Sequence, residues 1–208
     1  VSQYKTEQEL FWATEFGDEY SSRNIGNGWI ASNTALFSKI LSRTTNVKSL
    51  IEFGSNIGLN LRSIKNLAPD TRLAAIEINS TAITELKKWA EVNKIYEGSI
   101  LDVEITEKYD LAFIKGVLIH INPEHLRNVY EKLYQSSSKY ICLIEYYNPS
   151  PVTINYRGHN DRLFKRDFAG EMLDIYPDLK LVDYGFVYRR DPNFPQDDAT
   201  WFLLEKTL

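Results

Sequence analysis

Between Lys48 and Gly58 the chain reads Lys-Ser-Leu-Ile-Glu-Phe-Gly-Ser-Asn-Ile-Gly, and this stretch narrows the possible folds more than any other. Leu50, Ile51 and Phe53 form a short apolar run of the kind found in a strand buried on both faces of a parallel sheet. Gly54 and Gly58 flank a tight turn, and Leu61, Ile64 and Leu67 then recur at helical spacing. A strand, a glycine-bearing turn and a helix start make a nucleotide-binding corner at the carboxyl edge of an α/β sheet. Glycine lets the backbone bend back there and lets a ligand lie against it.

Spacing separates the ligands. A dinucleotide fingerprint is G-x-G-x-x-G, whereas here Glu52 precedes Gly54, Asn56 and Gly58 at alternate positions. This resembles motif I of the class I S-adenosylmethionine-dependent methyltransferases, an acidic residue followed by G-x-G-x-G, with Asn56 replacing the middle glycine. Asn is among the few other residues that reach positive φ. Leu73-Ala-Ala-Ile-Glu77 is a second apolar run, ending in a carboxylate at the distance of a ribose-binding acid. Two carboxylate oxygens suit the two hydroxyls of a ribose diol. Glu97-Gly-Ser-Ile-Leu-Asp102 resembles the family's loop after its third strand, where Ser99 and Ile100 would border the adenine. The resemblance implies S-adenosyl-L-methionine as cofactor, held by Glu52, Gly54, Ser55, Asn56, Gly58, Glu77, Ile78, Ser99, Ile100 and Lys115.

The 208 residues suffice for one sizeable core and are too few for two comfortable ones. No apolar run approaches membrane-spanning length, so no membrane partner is expected. The opening Val1-Ser-Gln-Tyr-Lys-Thr does not read as a signal peptide, and the expected location is the cytoplasm. The single cysteine, Cys142, sits in an apolar run and excludes an intramolecular disulfide. With three scattered histidines, it gives no metal-ligand spacing. A net charge of −4 argues against a nucleic-acid partner.

Thr6-Glu-Gln-Glu9 is a capping box, predicting a helix that carries Leu10, Phe11 and Trp12. Gly26-Asn-Gly28 breaks the pattern, and Ser32 to Leu41 places Leu36, Phe37, Ile40 and Leu41 on one helical face. Residues 1–44 thus read as a helical cap over the carboxyl edge of the sheet. Residues 45–147 read as the cofactor-binding core. Within it, Ser80 caps the next helix, Tyr109 to Ile114 is a fourth strand, Asn122-Pro123-Glu124 starts a helix, and Tyr140 to Glu145 is a fifth strand. Residues 148–208 form an acceptor lid and a closing part: a helix from Asp167 to Tyr176, then strands Leu181 to Tyr188 and Thr200 to Lys206 as an antiparallel pair. The order argues for a doubly wound, mostly parallel α/β sheet. With its terminal pair and helical cap, it is similar to the Rossmann-like class I methyltransferase fold.

The connection from Glu145 to Phe168 packs Arg157, His159, Arg162, Lys165 and Arg166 among Tyr146, Tyr147, Tyr156 and Phe164. A connection that long within one domain is a functional loop or a disordered one, and its aromatic content favours the first. Guanidinium groups pair carboxylates or phosphates in bidentate fashion, so the lid reads as an anion clamp led by Arg157 and Arg162. Thr6 to Tyr20, Lys115-Gly-Val-Leu-Ile-His-Ile121 and the lid together resemble the pseudaminic-acid-biosynthesis-associated methylases, over nearly the whole chain. The resemblance implies a small anionic acceptor: an acidic amino sugar or its nucleotide-activated form. Trp12, Tyr20, Arg23, Glu145, Tyr147, Tyr156, Arg157, Arg162 and Lys165 are the candidate acceptor contacts.

An acceptor hydroxyl or ammonium must lose a proton. His120, just past the fourth strand, is the first candidate base, His159 the second, and Tyr146 a candidate to orient the acceptor. Other readings stay open: a methyltransferase for another small anionic metabolite, for RNA or protein, or a non-catalytic cofactor-binding partner. A homodimer is open too.

Overall fold

Strands and helices alternate through the first two thirds of the chain, and five strands lie parallel. The structure, a computed structural model, describes residues 4–14, 16–19, 27–156 and 159–207, without the side chains of residues 27, 155, 156 and 159–162. In chain order the elements are α1 (Glu7–Ala13), α2 (Asn27–Leu41), β1 (Ser49–Phe53), α3 (Leu59–Leu67), β2 (Arg72–Glu77), α4 (Ser80–Trp89), β3 (Lys94–Glu97) and β4 (Tyr109–Lys115). Two 3-10 turns, Leu118–His120 and Pro123–His125, lead into α5 (Leu126–Ser136) and β5 (Ser137–Glu145). Then come β6 (Val152–Tyr156), β7 (His159–Lys165), α6 (Phe168–Ile175), β8 (Leu179–Val187) and β9 (Ala199–Lys206).

The seven-stranded sheet has the order β3-β2-β1-β4-β5-β9-β8. β1 pairs in parallel with β2 and β4, while β9 runs antiparallel to both β5 and β8. Side chains alternate between the faces, as the strand period demands. Leu50, Leu111, Phe113 and Cys142 meet Leu36 and Phe37 of α2 and Leu61 of α3 on one face. Ile51, Ala112, Ile114 and Leu143 meet Val129 and Leu133 of α5 and Met172 of α6 on the other. Strand order reverses between β1 and β4, so their carboxyl ends open a crevice there.

Several boundaries depart from expectation. α2 begins at Asn27 and runs through Gly28, because Leu36, Phe37 and Ile40 bury it well enough to offset the ~1 kcal/mol cost of a helical glycine. α4 is capped by Asn79, whose Oδ1 accepts the Ala82 N–H at 2.9 Å, and Ser80 is the first helical residue. Asn122 starts a 3-10 turn, and α5 follows it. The long connection after β5 is not loop throughout. β6 and β7 pair antiparallel as a separate ribbon, with Leu163 and Phe164 buried and β7 lying against the Leu118–His120 turn.

Candidate active site

A cavity of about 450 Å³ opens at the crevice. Its floor is the turn after β1. Gly54 there has φ 74°, and a Cβ on it would meet Val117 Cγ2 at 2.7 Å, so glycine is required for conformation and for space. Asn56 follows with φ 49° and sends its amide N–H to Glu77 Oε2 at 2.6 Å, while its own Oδ1 accepts the Ile57 N–H at 2.8 Å. Asn56 thus takes the left-handed conformation that a middle glycine would. Gly58 does something else. It caps α3 with φ 79°, and a Cβ there would lie 2.6 Å from Leu86 Cδ2, so it keeps α3 close to α4 from behind the cavity wall.

Glu77, at the end of β2, faces this turn. Its carboxylate accepts the N–H groups of Asn56, Ile78 (2.9 Å) and Asn79 (2.8 Å), and burial raises its pKa against the lowering effect of those three bonds. Ser99 and Ile100 of the turn after β3 continue the wall beside Ile78. Ser99 Oγ donates to Glu9 Oε1 of α1, and Glu9 Oε2 accepts the N–H groups of Lys5 and Thr6 at 2.7 and 2.9 Å. One carboxylate therefore completes the capping box and fastens α1 over the cavity. Asn79 adds a second fastening through Asp18 Oδ1 at 2.9 Å.

Trp12 of α1 lines the cavity, with its ring 4.8 Å from that of His120. His120 closes the turn after β4 and lines the cavity almost fully buried. That turn is held from below by Glu145. Its Oε1 accepts the N–H groups of Val117 and Leu118 at 3.0 and 2.9 Å, and its Oε2 that of Ile119 at 3.5 Å. Burial pushes the Glu145 pKa up to about 7.

At the other end stand Lys115, Asn33 of α2 and Asn60 of α3. Burial lowers the Lys115 pKa, with Glu52, Asp197 and Glu145 opposing. Among the described residues its ammonium makes no hydrogen bond or ion pair. The Oδ1 atoms of Asn33 and Asn60 are buried without a partner among the described residues. Asn60 Nδ2 donates to Glu52 Oε1 at 2.6 Å, and burial pushes the fully enclosed Glu52 up to about 8. Glu52 thus lies beneath the cavity and is hydrogen-bonded to its lining through Asn60.

Known structures place this architecture. No protein-family model matches the chain, and no curated protein matches it in sequence. Solved structures do match. Magnesium protoporphyrin IX methyltransferase (ChlM) from Synechocystis PCC 6803 with bound SAH superposes with TM-score 0.69 at 12% identity, covering 98% of this chain and 100% of that one. CalS10, an amino pentose methyltransferase from Micromonospora echinaspora with bound SAM, gives 0.64 at 9% identity over 92% and 96%. The glycopeptide N-methyltransferase MtfA complexed with SAM gives 0.63 at 11% over 85% and 95%. The fold is that of the S-adenosylmethionine-dependent methyltransferases.

Within this methyltransferase fold, the cavity gathers Gly54, Ser55, Asn56, Glu77, Ile78, Ser99, Ile100, Lys115, Trp12, His120 and Tyr146. Other expected contacts fall elsewhere. Glu145 does not line the cavity, because its carboxylate is spent on the turn beneath His120. Tyr147 is exposed and outside the cavity lining, its ring 5.9 Å from that of Phe202. Lys165 stays outside the cavity lining, with its ammonium over the Tyr146 ring at 5.1 Å. Tyr20, Arg23 and Arg157, and the side chains of Tyr156, His159 and Arg162, lie outside the described residues. Among the described residues no three His, Cys, Asp or Glu side chains are grouped to hold a metal, and no helix is long and apolar enough to cross a membrane.

Sequence reading missed Glu9 as a cavity residue, along with Asn33, Asn60 and Asp197. For Asn33 a signal exists. It stands three and four residues before Leu36 and Phe37, a lone amide on the apolar face of its helix.

Proposed function

We propose that this protein is an S-adenosylmethionine-dependent methyltransferase, acting on an oxygen or nitrogen of a small acidic acceptor. The acceptor class we favour is an amino sugar of the nonulosonic type, free or nucleotide-activated. The observation that carries the enzyme reading is the Glu77 carboxylate, which faces the cavity beside the left-handed Gly54–Asn56 turn, with His120 lining the same space.

The residues present suit the cofactor. Glu77 would hold the ribose hydroxyls, and Ser99 and Ile100 would border the base. The partnerless Oδ1 atoms of Asn33 and Asn60 and the unpaired Lys115 ammonium suit the ammonium and carboxylate of an amino-acid end. When bound, the cofactor supplies an electrophilic methyl on a sulfonium. The chain's own work is alignment and proton handling. His120 takes the acceptor's proton, and Tyr146, its ring under the Lys165 ammonium, orients the acceptor. Arg157, Arg162 and Lys165 supply positive charge for its anionic group, with Tyr156, Tyr20 and Arg23 as further contacts and His159 as a second base. The net charge of −4 supports a small molecule over nucleic acid.

The test is incubation of the purified protein with S-adenosylmethionine and acidic amino sugars, free and nucleotide-activated. The readouts are S-adenosylhomocysteine release and a mass spectrum of each acceptor. A matching methyl gain on one sugar supports the whole reading. A protein that S-adenosylhomocysteine stabilises against heat but that methylates none of the sugars keeps the enzyme class and rejects this acceptor class. Failure to bind the cofactor rejects both.

A further inference from the structure

The loop after β4 carries His120, and its own short bonds are joined by a carboxylate from the next strand. Gly116, with φ 66°, sends its N–H to Ile144 O at 2.9 Å, and the chain then turns across the top of β5. There it meets Glu145, the last residue of that strand. Three successive peptide N–H groups, those of Val117, Leu118 and Ile119, point at this one carboxylate. The 3-10 turn Leu118–His120 begins on these donors, and the His120 N–H closes it on Val117 O at 2.8 Å. Glu145 is 4% exposed, outside the cavity lining, and makes no ion pair among the described residues.

We propose that Glu145 is the positioning residue for His120: its carboxylate gathers the Val117, Leu118 and Ile119 N–H groups and so sets the imidazole in the cavity. The inference rests on the reading that His120 takes the acceptor's proton. An ionised carboxylate is an acceptor on both oxygens, whereas the protonated form turns one oxygen into a donor that faces N–H groups. The turn is therefore complete only while Glu145 is ionised.

Burial places that ionisation at about 7, inside the working range of most enzymes. The charged and titratable groups acting on it are Lys115 of β4, whose ammonium favours the carboxylate, and Tyr130 of α5, whose own pKa the carboxylate helps to raise. The carboxylate predominates above about 7 and is lost as pH falls through that value. His120 must also be unprotonated to act as base. The acid side of the wild-type rate profile thus contains two ionisations, Glu145 and His120.

The experiment combines amide hydrogen exchange with kinetics on the full chain. In wild type, exchange protection at Val117, Leu118 and Ile119, corrected for intrinsic rates, should fall together as pH drops from about 8.5 to about 5.5. In Glu145→Gln it should be low throughout. The same variant should lose roughly thirty-fold in kcat while S-adenosylhomocysteine affinity stays within about twofold, and its acid limb should reduce to one ionisation. Glu145→Asp should recover part of the protection and part of the rate.

PH-independent protection in wild type overturns the inference, and so does Glu145→Gln with all three amides protected and kcat within about threefold of wild type. If Glu145→Gln does not fold, the wild-type exchange profile and Glu145→Asp still decide. Full turnover by His120→Ala would remove the proton-transfer reading alone. Exchange at the three amides would then judge the positioning role by itself.

Discussion

At the Glu77 end of the cavity the wall is made by neighbours in sequence. One carboxylate collects peptide N–H groups from residues 56, 78 and 79, and Ser99 lies one strand further on. At the Lys115 end the wall is assembled from α2, α3, the end of β4 and the β8–β9 connection. Gln196 ties that connection to Ser32 O of α2 across 164 residues, at 2.7 Å. The first end is braced before any ligand arrives, with both Glu77 oxygens accepting peptide N–H groups. Among the described residues the second keeps an unpaired Lys115 ammonium and the partnerless amide oxygens of Asn33 and Asn60. Buried polar groups left unbonded are costly, so they mark where a ligand completes the structure.

The largest expected effect probes the buried acid beneath the second end. Glu52 is raised from 4.5 to about 8 by burial, so the fold prefers its neutral form. The folded state then holds more protons than the unfolded one between these values. Glu52 accordingly costs nothing at pH 4 and progressively more stability as pH rises through about 8, on the order of a few kcal/mol. Glu52→Gln should flatten this dependence, raising the melting temperature relative to wild type by roughly 5 °C or more near pH 8.5 and by little near pH 5. Parallel melting curves for the two proteins would mean that Glu52 keeps its ordinary pKa in the folded protein.

Glu77 comes next. Removing a buried, charge-bearing partner of ribose hydroxyls should weaken S-adenosylhomocysteine roughly a hundredfold in Glu77→Gln, about 2–3 kcal/mol, as read by calorimetry. An unchanged affinity would reduce Glu77 to a brace for the Asn56 turn. Lys115→Met tests the other end and should cost about tenfold through the lost carboxylate partner. If Lys115→Met leaves cofactor affinity intact but raises the acceptor KM, the open end belongs to the acceptor instead.

The comparison also explains what the sequence could convey. Gly54, Glu77 and Ser99 act through local chain geometry, so strand and turn signals suffice to place them. Glu9 was legible as a helix cap, but its bond to Ser99 spans 90 residues and exists only once α1 folds over the sheet. The β6–β7 ribbon was hidden by Pro149 and Pro151, which precede Val152 and read as loop, although Val152-Thr-Ile-Asn-Tyr156 is rich in strand-forming residues. An arginine-rich lid was therefore expected to cover the cavity. Among the described residues the covering is done mainly by α1, through Glu9 and Trp12. Glu9→Gln should weaken that fastening and raise the S-adenosylhomocysteine off-rate severalfold, with little change in on-rate.

The smallest effect belongs to the position where this chain departs from the G-x-G-x-G pattern. Asn56 holds φ 49° without a glycine, at a cost of up to ~1 kcal/mol that its Oδ1 bond to the Ile57 N–H offsets. Asn56→Gly removes both terms and adds the chain entropy that glycine loses on folding. The balance should stay within about 1 kcal/mol of stability and about twofold in cofactor affinity, read by thermal melting and calorimetry. A tenfold gain in affinity would show that the side chain, not the backbone, meets the ligand at this turn. The Glu77 end would then share the trait of the Lys115 end, a wall finished by a side chain. A neutral result keeps the two ends distinct, because the amide N–H that Asn56 gives to Glu77 is one that glycine supplies equally well.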